Sequence, residues 1–147
     1  MSGGFHIEWK GHKDTVFNTF NRLLEAGFLS DMHLYCEDKI IDVHKLVLAS
    51  SSVYFERFFT SNPTADSLFI LDIKPNILGS VVQFIYSGTV DIHSKDVDVF
   101  MKCLNKWQIR CHQIYKTSTE MAIATEYTDQ SGCQISIIEE DNNKPQN

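Results

Sequence analysis

Several chemistries are missing from this 147-residue sequence. There is no Gly-x-Ser-x-Gly elbow, so Ser50, Ser51 and Ser52 near His44 do not read as a hydrolase nucleophile and its base. The six histidines contain no His-Glu-x-x-His or comparable ligand pair, which removes the usual zinc arrangements. The seven glycines are dispersed and build no phosphate-cradling loop. No catalytic residue, metal or cofactor is therefore expected. Cys36, Cys103, Cys111 and Cys133 fall at spacings that match no zinc or redox motif, so they read as free thiols suited to a reducing compartment. No apolar run approaches the ~20 residues needed to cross a bilayer. The first four residues lead straight into mixed polar sequence rather than into a signal peptide. A soluble, intracellular, non-membrane chain is the expectation.

Basic charge is also scarce. The net charge is −6, and most of it sits at the end of the chain. From Ser118 onward six acids (Glu120, Glu126, Asp129, Glu139, Glu140 and Asp141) face Lys144 alone, while residues 1–117 are close to neutral. Neither part offers the basic stripe that binds phosphate backbones, so direct nucleic-acid binding by this segment is not expected.

What is present is aromatic and apolar residues in ordered patterns: 43% hydrophobic and 12% aromatic, enough for one domain with a real core. Phe5, Ile7 and Trp9 alternate with His6, Glu8 and Lys10 at the period of a half-buried strand. Gly11 ends it, and nothing nearby offers that strand a partner. Val16, Phe17, Phe20, Leu23, Leu24 and Phe28 then repeat at helical spacing, with Asp14 near the start and Gly27 near the end. That face carries more apolar surface than a small domain readily covers.

Met32 to Cys36 and Ile40 to Val43, separated by Glu37, Asp38 and Lys39, predict a β-hairpin. Leu46 to Ala49 begins a short helix, and Ser52 is the natural N-cap of a second one holding Val53, Tyr54, Phe55, Phe58 and Phe59. Leu68 to Ile73 reads as a strand added to the hairpin. Pro75 opens a helix with Ile77, Leu78, Val81, Val82, Phe84 and Ile85 on its buried side, and Gly88 stops it. Val90 and Ile92 suggest a short strand. Ser94 is a cap candidate for a helix carrying Val97, Phe100, Met101, Leu104 and Trp107. Ile109 to Tyr115 suggests a last short helix. The remainder, residues 118–147, is expected to be a polar, acidic tail or linker, disordered because Ile135, Ile137 and Ile138 are too isolated to form a core.

The residues from Asp31 through Val43-His44-Lys45, Val47-Leu48-Ala49, Ser52 and Tyr54-Phe55 to Phe58-Phe59, followed by Phe84-Ile85-Tyr86-Ser87-Gly88, resemble a BTB/POZ domain. With Phe5-His6-Ile7-Glu8-Trp9 upstream, the resemblance covers roughly residues 5 to 115 and is similar to the Tramtrack-type subgroup. It implies an α+β fold over residues 1–117, in which a small sheet is flanked by a cluster of helices. It also implies a homodimer with the N-terminal strand exchanged, its interface on Phe5, Ile7, Trp9, Val16, Phe17, Phe20 and Leu24. His44 belongs to the family signature, and Asp31 and Lys45 match a charged pocket held between protomers. As a plain reading, His44 is a core histidine bonded to a backbone group, Asp31 a strand-start cap and Lys45 a solvated helix-start lysine.

The function implied is a self-association module, with hetero- or higher-order pairing with other BTB proteins open to it. It would recruit corepressors or other chromatin proteins to a nuclear transcription regulator. The alternatives are a cytoplasmic substrate adaptor for a cullin-3 ubiquitin ligase and an architectural or insulator self-association domain. Glu8 and Lys10-Gly11 depart from the subgroup's arginine and paired asparagines, which weakens the case for assembly beyond a dimer. The loop after Phe59 lacks the apolar-x-Glu sequence of cullin adaptors.

Overall fold

The computed structural model describes residues 2–118, 125–128 and 134–141. It divides into two compact units, residues 1–108 and 109–147. In the first unit helix α1 (His12–Ala26) precedes a hairpin of β1 (Met32–Cys36) and β2 (Lys39–Val43). Helices α2 (Lys45–Ser51) and α3 (Val53–Ser61) follow, then β3 (Ser67–Phe69), α4 (Pro75–Ser87), a 3₁₀ turn at Ser94–Asp96 and α5 (Val97–Lys106). This is the α+β arrangement expected, a small mixed sheet with five helices.

The sheet runs β2-β1-β3, with β2 antiparallel and β3 parallel to β1. The hairpin is tighter than the sequence suggests: Lys39 is already paired with Cys36, leaving a Glu37-Asp38 turn with φ 51° at Glu37. Met32, Leu34 and Cys36 on β1 are fully buried while His33 and Tyr35 point away from the core, so one face of the sheet carries the packing. β3 covers only the first two residues of the predicted Leu68–Ile73 run. The Ile70 N–H makes a last bond to the Tyr35 carbonyl (2.7 Å), after which β1 ends and Leu71 turns out to solvent.

Phe55, on α3, is fully buried at the centre of the core and meets Trp107 edge-on at 5.2 Å. Ile77, Leu78, Val81, Val82 and Tyr86 of α4 are buried as well, as are Phe100, Met101, Cys103 and Leu104 of α5. Tyr86 sits deeper than Phe84 or Ile85, the opposite of the ranking that hydropathy alone suggests, because its hydroxyl has partners described below.

Ser52 caps α3 as its position suggests. Its oxygen accepts from the Phe55 N–H (3.0 Å), and its hydroxyl donates to the Trp107 carbonyl (2.5 Å) with no exposed surface. Ser52→Ala orphans one donor and one acceptor inside the core, and we expect a loss of about 2–3 kcal/mol in urea unfolding. At the 3₁₀ turn the capping falls to His93 rather than Ser94: the His93 Nδ1 accepts from the Lys95 N–H at 3.2 Å. The segment around Val90 and Ile92 is not a strand, since no edge among the described residues pairs with it.

In the second unit the predicted helix over Ile109 to Tyr115 is replaced by β4 (Gln113–Ser118), parallel to β6 (Gln134–Asp141), which pairs antiparallel with β5 (Thr125–Thr128). The expected disordered tail thus contains paired backbone. Thr125, Thr128, Ile135, Ile137 and Ile138 are β-branched types, which favour extended backbone. The rest of that segment lies outside the described residues.

Candidate self-association surface

The strand predicted at the N-terminus has no ladder to join. Residues 2–9 form neither helix nor strand, and Phe5 (97%), Ile7 (89%) and Trp9 (62%) stand exposed. The Trp9 ring meets the His12 ring edge-on, at 4.7 Å between centroids. Helix α1 continues the same deficit. It packs against α4 but has no fully buried residue along its 15 positions; Phe17 is 58% exposed, and Val16, Phe20 and Leu24 are half-buried. A free helix of this length is marginal in water and draws its stability from a covered apolar face, so α1 is under-packed within one chain. Its end is well made: Gly27 adopts φ 64°, and the Gly27 and Phe28 N–H groups return to the Leu24 and Leu23 carbonyls at 3.1 and 3.0 Å.

Asp31, His44 and Lys45 come together at the start of α2, but not as an ion pair. Asp31 is exposed, and its Oδ1 accepts from the Lys45 backbone N–H at 2.8 Å, a carboxylate at a helix N-terminus. The Lys45 ammonium goes elsewhere, donating to the Pro63 carbonyl at 3.4 Å and lying 5.8 Å from the Phe59 ring centroid. His44 is tied three ways. Its backbone N–H donates to the Tyr86 hydroxyl oxygen (2.8 Å), its Nδ1 meets the same hydroxyl (2.7 Å), and its Nε2 meets the Phe28 carbonyl (2.7 Å). A carbonyl can only accept, so Nε2 carries the proton and Nδ1 accepts from the Tyr86 O–H. One side chain thus links the end of α1, the start of α2 and the end of α4.

The sequence pattern of the BTB/POZ domain matches residues 20–121. The chain belongs to the BTB/POZ domain family. Bric-a-brac 2 of Drosophila melanogaster is 29% identical over 107 residues, 72% of this chain and 10% of that protein. The tramtrack alpha isoform of the same species is 28% identical over 107 residues, 13% of its length. The chain therefore spans only a small part of these relatives. The Drosophila longitudinals lacking protein-like is 25% identical, and there the match covers 84% of the protein. The BTB domain of zebrafish PATZ1 shares the fold, with a TM-score of 0.67 at 20% identity, over 73% of this chain and 89% of that one. This BTB/POZ domain is a protein-interaction domain related to those of the Tramtrack group, and not an enzyme. Among the described residues no helix is long and apolar enough to cross a membrane, and no three or more His, Cys, Asp or Glu side chains form a metal-sized cluster.

Tyr86 is the participant that sequence reading missed. Its place inside the Phe-Ile-Tyr-Ser-Gly motif was visible, but its contact with His44, 42 positions away, was not. Burial pushes the BTB domain's Tyr86 hydroxyl up to about 12 from its ordinary 10, the His44 N–H opposing this and Asp31 adding to it. Burial also pushes the Cys103 thiol up to about 12 from 9. Both groups are held neutral by the fold, so their stabilisation is complete below the unfolded values and lost as pH rises through the folded ones. Urea midpoints should hold level up to about pH 9 and fall steadily towards pH 12. Tyr86→Phe should flatten the part of that fall above pH 10.

Proposed function

We propose that this domain pairs with a second copy of itself, and so serves as the self-association and cofactor-recruiting module of a nuclear transcription regulator. The observation that carries the reading is the exposure of Phe5, Ile7, Trp9 and Phe17, with Val16, Phe20 and Leu24 of the same helix only half-buried. Large exposed apolar patches mark interaction sites, and an extended segment with no ladder of its own is suited to complete one in another chain. The Val90–Ile92 segment is a fitting acceptor: no strand among the described residues pairs with its backbone, and half-buried Val90 and Ile92 alternate with exposed Asp91 and His93. Obligate interfaces of this kind bury more than roughly 2,000 Å² in total.

We take the interaction module as residues 1–117, followed by residues 118–147 as an acidic extension. Asp31 and Lys45 form the charged pocket at the dimer boundary. Within one chain their charges are not paired with each other, so Asp31→Asn should change unfolding of the monomer by only about 1 kcal/mol. A larger loss should appear in dimer affinity, measured by concentration-dependent gel filtration; an unchanged dimer removes these residues from the pocket. Corepressors, other chromatin proteins and other BTB domains are the partner classes, with DNA contact left to other parts of such regulators.

The test of self-association is to co-express two differently tagged copies and purify on one tag. Recovery of the second tag in near-equal amount, together with nuclear accumulation and reporter repression when the domain is fused to a DNA-binding module, supports the reading. Recovery of one tag alone contradicts it. Stoichiometric capture of a cullin would move the domain to the adaptor class.

A further inference from the structure

An open groove of about 500 Å³ runs between the C-terminal half of α1, strand β2 and helix α4. We propose that it docks an extended segment of another protein in which apolar side chains alternate with lysine or arginine. β2 is an edge of the sheet, so its far side has no strand partner among the described residues. The groove takes in Ile41, which shares the core-facing side with Leu34, and also Ile40 and Asp42, which face outward beside Tyr35 and His33. It therefore wraps the open edge of β2, where an added strand would find backbone donors and acceptors. Leu24, Ile41 and Val82 supply its apolar floor, and Ile40 stands 59% exposed at its lip.

Its charge is of one sign. Glu25 and Asp42 are the acidic residues in its lining, which holds no lysine or arginine. The carbonyl end of α1 abuts it, and the last turn of that helix holds no basic residue. Asp42 is engaged only with His33, at 2.6 Å, and no cation pairs with Glu25 among the described residues. A cationic occupant is favoured on these grounds, whereas this chain's own acidic tail is repelled. Gly79 supports an approach from outside. It lies within α4 on the groove wall, it has no positive φ, and a Cβ built on it would meet nothing within 4 Å. Neither backbone geometry nor internal packing requires a glycine there, while a bare helix wall lets a neighbouring backbone come close.

The probe is a fluorescein-labelled ten-residue peptide repeating Lys-Val-Arg-Leu, titrated into the full chain by anisotropy and by amide NMR. Saturable binding is expected, with shifts at Glu25, Ile40, Ile41, Asp42 and Val82. Gly79→Leu should weaken it about ten-fold by occupying the wall. Gly79→Ala and Gly79→Leu should both melt no lower than the parent, which separates blocked docking from failed folding. Glu25→Lys should also weaken binding and flatten its salt dependence, and a Glu-Val-Asp-Leu peptide should not bind. Equal binding by the acidic peptide, indifference to Gly79→Leu, or absence of shifts at Ile40 to Asp42 would overturn the proposal. So would shifts at these residues on raising protein concentration without peptide, since they would assign the groove to a second copy.

Discussion

Replacing Phe5, Ile7 and Trp9 together by serine should leave a folded domain that no longer pairs. The three side chains are exposed in the single chain and contribute nothing to its core, so the unfolding free energy of the monomer should move by less than about 1 kcal/mol. Each is worth about 1.5–3 kcal/mol when fully buried. Removing all three from an interface should therefore weaken dimerisation by at least about a thousandfold. Sedimentation of the variant should show one copy at concentrations where the parent shows two. A single Phe17→Ser on α1 should act in the same direction by a smaller factor, because Phe17 already rests edge-on against Phe20 at 5.8 Å. If the triple variant dimerises as tightly as the parent, the surface lies elsewhere.

His44→Ala should be the most damaging single change outside the apolar core. It removes the acceptor of the Tyr86 hydroxyl, a nearly buried group, and the donor to the Phe28 carbonyl that fastens the end of α1. An orphaned buried hydroxyl costs about 1–3 kcal/mol, and the emptied imidazole site adds to that. We expect a total of roughly 2–4 kcal/mol, or a melting temperature lower by about 6–12 °C for a chain of this size. Tyr86→Phe should cost less, because the His44 N–H and Nδ1 lie in a part-buried position that water can reach. The double variant should cost less than the sum of the two, with a coupling of about 1 kcal/mol or more measured in a double-mutant cycle. Additive losses would show that the two side chains act independently.

The features legible in the sequence were those set by local rules. Two short apolar runs about a polar break marked the β1–β2 hairpin, Ser52 marked the start of α3, Pro75 the start of α4, and Gly27 and Gly88 the ends of α1 and α4. Each depends on neighbours within a few residues. What escaped depends on distant partners. The parallel pairing of β3 with β1, the halt of that strand at Phe69 and the burial of Tyr86 by His44 are set by tertiary contacts that no local pattern encodes. At Asp31 the sequence offered a strand-start cap or one half of a charged pocket between protomers; within one chain its carboxylate accepts from the Lys45 amide at the start of α2, a partner that no local pattern names. The orphan character of Phe5–Trp9 was readable because it is itself an absence of local partners. β4 was missed for the converse reason, since Gln113 to Ser118 carries no apolar alternation strong enough to separate strand from helix.

Sedimentation equilibrium of the full chain, run from about 1 to 100 µM, tests self-association most directly. The expected result is a species of twice the 16.9 kDa chain mass across that range. A species of 16.9 kDa at every concentration would contradict it.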